Sequence, residues 1–302
     1  MLTTSAESTD SPAVRRRSLL TYLVLAYAGM WAAMAPLLLG GFRRADARQG
    51  TGALEEVCIA VAMAAPALAA LFAVRKVERR PSVRAALALN WPRPWPRTVR
   101  ACALALAVPA GLTAAALALG TLAGDYPFGG VRLDAWALAA LGGLLVSLPL
   151  FFGEELGWQG FLFPRLVRAS GGTAGLVRAY VLTGAAFALW HLPTLLMGGQ
   201  YPGRAWYVAV PAMLVSCVLV LPVFTWLRLR SGSVVPAVIG HAFCSTVSVG
   251  MVKQFADAEG ALDPLRMGLT GWPGWVVTGV FVTFLAVSGR LRPAYYAERL
   301  AR

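Results

Sequence analysis

Two adjacent acids, Glu154 and Glu155, lie in the run Leu148-Pro149-Leu150-Phe151-Phe152-Gly153-Glu154-Glu155-Leu156-Gly157-Trp158, with no basic residue before Arg165. An ionised side chain at the centre of a membrane span costs ~3 kcal/mol, while each Leu or Phe returns only ~0.5 kcal/mol, so a chance pair there is rare. The bland reading ends the helix near Gly153 and leaves the pair at the interface. The chain's only two histidines, His191 and His241, also fall in apolar runs. Together these groups make a constellation, because ionisable residues within membranes tend to face a bundle interior or a water-filled cavity. Burial strengthens a carboxylate as a general base, which makes Glu154 the candidate to activate a water. A histidine beside it could hold the same water. A second histidine with a hydroxyl neighbour, His241 with Ser245, could donate to the oxyanion formed when that water attacks a carbonyl. Such a set specifies hydrolysis without a serine or cysteine nucleophile, although Cys244 and Ser245 adjoin the site and need testing.

Positioning these groups requires helices. Of the 302 residues, 58% are hydrophobic and 14% charged, away from the soluble norm. The apolar residues gather into eight runs at roughly 18–40, 54–74, 101–123, 135–163, 179–197, 206–227, 233–252 and 272–289, which suits an all-α polytopic bundle of about eight transmembrane helices. If the N-terminus is cytoplasmic, 20 of the 27 basic residues fall on inward segments, including Arg15 to Arg17, Arg165, Arg168 and Arg228. The net charge of +13 is thereby explained by topology and anionic lipid, and nucleic acid is not an expected partner. The expectation is a multi-pass protein of the cell membrane with both termini in the cytoplasm. Residues 1–14, rich in Ser, Thr and Pro, read as a disordered cytoplasmic tail, and 15–302 as one transmembrane domain with its motif-bearing core at 135–252. The first run reads as a membrane anchor rather than a cleaved signal peptide, because it extends to about Leu39.

Depth supports a common pocket. At 1.5 Å per residue from the cytoplasmic ends of their runs, Glu154 lies ~14 Å deep, His191 ~18 Å and His241 ~12 Å, so one layer open to the cytoplasm is expected. Phe187 and His191, His241 and Ser245, and Glu154 and Trp158 are each four apart and share a helix face. Pro193 removes a backbone donor and is expected to bend the helix beside His191. Cys58, Cys102, Cys217 and Cys244 lack the close pairing of a zinc or redox motif and read as packing residues. Residues 90–97, with prolines and arginines between two tryptophans, read as a loop at headgroup level.

Three motifs resemble those of the membrane-embedded CAAX proteases and bacteriocin-processing proteins, the intramembrane glutamic endopeptidases that include the type II CAAX prenyl endopeptidases. The Glu-Glu pair followed by Trp, Arg, Gly and an aromatic resembles Glu154-Glu155-Leu156-Gly157-Trp158-Gln159-Gly160-Phe161. Phe-x-x-x-His resembles Phe187 to His191, and His-x-x-x-Asn resembles His241 to Ser245. The order and helix placement match across roughly residues 135–252. The resemblance implies that Glu154 and His191 position the water, that His241 and Ser245 complete the oxyanion site, and that Glu155 supports them. It also implies a peptide or protein substrate, membrane-anchored or prenylated among the options, and no cofactor. Gln159 stands where that pattern usually has arginine, and Ser245 where it has asparagine. Gln159 cannot supply a charge to balance Glu155, and Ser245 donates one hydrogen bond from a shorter arm.

Other readings stay open at this point. One Glu and two His also match the ligand set of a catalytic zinc. Buried Glu and His serve proton relays and transporters too, and the two departures make a non-catalytic scaffold or immunity protein of the same fold a further alternative.

Overall fold

The computed structural model describes residues 11–44, 52–92, 94–169 and 171–300, of which 297–300 by backbone alone. The described residues form thirteen α-helices and no β-strand. The first helix, α1 (Pro12–Leu39), starts at Ser11, whose side chain accepts from the Val14 amide, with Pro12 suited to the first turn. This cap sets the helix start three residues inside the segment expected to be a tail; residues 1–10 of that segment lie outside the described residues.

Next come α2 (Ala53–Phe72), continued by a π-helical turn (Ala73–Val77), and short α3 (Val83–Ala86). Helix α4 (Trp95–Leu122) follows, then α5 (Asp134–Glu155), which runs through a π-helical segment (Leu156–Leu162) into α6 (Phe163–Ala169). Helix α7 (Gly172–Trp190) is separated from α8 (Leu192–Leu196) by His191. Helix α9 (Trp206–Ser231) precedes α10 (Val235–Ala242), which passes through a third π-helical segment (Phe243–Ser248) into α11 (Val249–Gln254). Helices α12 (Trp272–Val287) and α13 (Pro293–Leu300) end the described chain.

Seven of these continuous helical stretches are long and apolar enough to cross a membrane, which makes the chain a multi-pass membrane protein of all-α architecture. The eighth apolar run becomes α12, only 16 residues and therefore ~24 Å long. It stops at Val287 because Ser288 caps it and Gly289 turns away with positive φ. Several helices begin before their apolar runs do: α1 at Pro12, α4 at Trp95 and α7 at Gly172. Hydropathy marks the part of a helix that sits in hydrocarbon, whereas backbone hydrogen bonding continues into the polar margin.

Helix α1 lies along α2, α2 packs on α5, α7 on α9, and α10 is enclosed by α4, α5 and α9. Leu20, Val24, Val57, Leu68, Leu138, Leu145 and Val280 remain exposed on outward faces, as lipid contact requires. Apolar side chains gain little by leaving lipid for protein, so close approach of backbones carries much of the packing. Gly153 and Gly157, four apart on α5 and the π segment after it, provide that approach beside the acids. A methyl group at 153 would strike the Met63 carbonyl, and one at 157 would lie 2.5 Å from Pro66 Cβ and 2.6 Å from the Tyr22 hydroxyl.

Candidate active site

The adjacent acids diverge because successive helical residues point about 100° apart, and their partners differ accordingly. Glu154, 3% exposed, lines an internal cavity of about 480 Å³, and its Oε2 has no hydrogen-bond partner in the protein. Glu155 is 1% exposed and turns to α10, where its Oε1 accepts from His241 Nδ1 at 2.9 Å. Helix α5 becomes π-helical directly after Glu155, and α10 does so at Phe243, two residues after His241. Such wide turns are frequent at functional sites, and here both of them border the buried polar pair.

His191 occupies the break between α7 and α8. Its Nδ1 lies 2.9 Å from the Phe187 carbonyl, which can only accept, so the neutral ring carries its proton on Nδ1 and presents Nε2 as a base. Pro193 sits in the first turn of α8. The expected bend is thus a break, with His191 itself at the junction.

His241 is fixed by rings as well as by Glu155. Phe151 and Phe224 have centroids 4.6 and 5.1 Å from its imidazole, and Phe187 stands edge-on at 5.5 Å. Below the acids, Trp158 contacts Tyr22, Phe187 and Trp190 at 5.9, 5.3 and 5.9 Å, while Trp190 donates to the Ala26 carbonyl. This aromatic group ties α1 and α7 to the π segment that follows the acids.

The cavity brings together Glu154, His191, His241 and Ser245. Glu155 stands outside its lining and reaches it through His241. Gln159 is fully buried and, rather than facing Glu155, accepts from the Thr225 hydroxyl at 3.0 Å. Phe151, Phe224 and Cys217 also line the cavity. Sequence reasoning missed them; Phe151 was within reach, since it lies one helical turn before the acids, but Phe224 and Cys217 sit in α9, which carries no acid or histidine to draw attention. All four cysteines are free, and Cys244 lines the cavity with Cys217.

The lining extends from the acids to Phe42, exposed Arg44 and Gln200, at the end of the bundle where α1 finishes, opposite Arg15 to Arg17. Toward the arginine-rich end, Trp158, Gln159 and Phe161 are buried, and beneath them Arg165 forms paired bonds of 2.5 and 2.7 Å to Glu78, which also accepts from Ser18 at 2.8 Å. Depths counted from one membrane face locate a layer but not the direction in which it opens. Burial opposes the charge on Glu78, yet the bonds and charge of Arg165, the Ser18 hydroxyl and Arg80 together hold its carboxyl below the usual carboxylate range.

The fold is that of a polytopic membrane protein whose helical bundle gathers a glutamate and two histidines around one apolar-walled cavity. Residues 135–247, which hold both acids and both histidines, match the family described as Type II CAAX prenyl endopeptidase Rce1-like. That match agrees with the membrane-embedded CAAX protease and bacteriocin-processing family, and the matched family is one of proteases. No curated protein matches the chain.

Proposed function

We propose that the protein is an intramembrane glutamic endopeptidase in which Glu154 and His191 activate a water that attacks a peptide carbonyl. The observation that carries this reading is the convergence of Glu154, His191, His241 and Ser245 from three helical stretches on one cavity, inside the segment that matches a protease family. The Glu154 carboxylate, which lines the cavity, accepts the proton of the attacking water. Nε2 of His191, left unprotonated by the Phe187 contact, orients that water. As the carbonyl carbon becomes tetrahedral, His241 and the Ser245 hydroxyl donate to the oxyanion. Donation from both ring nitrogens requires His241 to be the cation, and Glu155 is the anion that pairs with it. The proton held by Glu154 then passes to the departing amine, which regenerates the carboxylate.

The apolar walls, among them Met30, Met34, Ile59, Met63 and Leu112, suit a hydrophobic or membrane-anchored peptide, with prenylated chains one such substrate class. The arginine distribution orients the N-terminus to the cytoplasm, and access through Arg44 and Gln200 then lies on the far face. The test uses purified protein in lipid nanodiscs and a library of apolar peptides. Cleavage by the wild type that survives a strong chelator and disappears in Glu154→Gln supports the reading. Cleavage lost to chelator and restored by zinc replaces it with a zinc protease, and equal cleavage by wild type and Glu154→Gln removes it.

A further inference from the structure

A second cavity, of about 330 Å³, lies at the arginine-rich end of the bundle, away from the acids. The turn before α3, helix α6 and the last turn of α9 enclose it, and Arg80, Arg165, Arg168 and Arg228 line it together with Ser82 and Asn90. None of its lining residues is acidic. Glu78 lies outside the lining and is engaged by Arg165, with Arg80 3.7 Å from its second oxygen.

Arg228 is the informative residue. It is only 6% exposed, and its Nε has no hydrogen-bond partner in the protein. A buried guanidinium left short of acceptors is costly, and three further guanidinium groups around the same space raise that cost. Ser82 accepts from the Ala85 amide and so retains its own hydroxyl proton as a donor toward an anion. The terminal nitrogens of the Arg228 guanidinium, with Arg168 beside them in the lining, match the oxygens of a tetrahedral phosphate.

We infer that this cavity binds a phosphate group, held by Arg228 and Arg168, and that the bound group joins α6 to the end of α9. The same chemistry could arrive as a lipid headgroup, since basic pockets between membrane helices accept these, or as soluble phosphate. The chain from α5 to α6 is continuous through the π segment, so an anion here secures the helix that carries Glu154 and Glu155.

The full chain is placed in phosphatidylcholine nanodiscs, and its Tm is followed as inorganic phosphate is added against chloride at matched ionic strength; a parallel set of nanodiscs contains phosphatidylglycerol. The expected result is a saturable rise in Tm, on the order of 5 °C, in at least one arm. A rise with inorganic phosphate identifies a soluble ligand, and a rise with phosphatidylglycerol alone identifies a headgroup. The rise is lost in Arg228→Gln, reduced in Arg168→Gln and retained in Arg17→Gln, an exposed arginine outside the cavity. Should Arg228→Gln fail to fold, a reduced rise in Arg168→Gln but not in Arg17→Gln decides in favour. No rise in either arm, or a rise that Arg228→Gln or Arg168→Gln keeps in full or that Arg17→Gln equally loses, overturns the inference.

Discussion

His241 donates through Nδ1 to the Glu155 carboxylate at 2.9 Å, and this contact separates the duties of the two adjacent acids. Glu155 is bonded to a histidine, while Glu154 lines the cavity. Glu154→Gln should therefore remove the general base and lower kcat by about 10²–10⁴-fold. Glu155→Gln should cost less, up to about 10²–10³, the worth of one oxyanion donor. Steady-state kinetics on a cleaved peptide compare the two, and a larger loss in Glu155→Gln would reverse their roles.

Ser245 and Gln159, the two departures from the resembled pattern, should respond differently to restoration. Ser245 is exposed to the cavity, so Ser245→Asn has room and should keep or raise kcat. Gln159 is fully enclosed and bonded to Thr225, so the longer Gln159→Arg should overpack the site and lower Tm, at a cost of about 1–3 kcal/mol. Thermal unfolding in detergent beside the rate measurement checks both, and a stable Gln159→Arg would show that the pocket yields.

The close approach at Gly157 sets the height of the acids against α2. Gly157→Ala puts a methyl group 2.5 Å from Pro66 Cβ and should destabilise the fold by about 1–3 kcal/mol. A Tm equal to wild type would mean that α2 shifts freely.

The Glu78–Arg165 pair makes stability depend on pH. The folded carboxyl titrates below its usual range, so its contribution is complete above that range and is lost as pH falls through the folded value. Thermal stability should decline on acidification through and below the ordinary carboxylate range. Glu78→Gln, which strands a buried guanidinium, should cost about 3–5 kcal/mol at neutral pH and flatten that decline. An unchanged acid profile in the variant would assign the decline elsewhere.

Much of this arrangement was legible in the sequence, and for identifiable reasons. Acids and histidines inside apolar runs are conspicuous because lipid makes them costly, so Glu154, Glu155, His191 and His241 stood out before any fold was drawn. Run length located the spans but misjudged helix ends, because Ser11 and Gly171 start helices in residues that hydropathy scores as polar. The pairing of Glu155 with His241, the rings of Phe151 and Phe224, and the link from Glu78 to Arg165 join residues far apart in sequence and depend on which helices become neighbours. The end to which the cavity extends could not be read from the sequence, because a polar residue's depth is the same whichever end the space opens to.

Access from the far end can be examined in intact cells. Gln200→Cys lines the cavity near exposed Arg44, and should react with a membrane-impermeant maleimide added outside. Reaction only after permeabilisation would place this end in the cytoplasm.

Turnover itself is tested most directly by comparing peptides released from membranes of cells that carry the wild type, Glu154→Ala or His191→Ala at equal abundance. At least one fragment should be present with the wild type and missing from both variants. Identical fragments in all three would contradict it and leave the fold serving a function other than peptide hydrolysis.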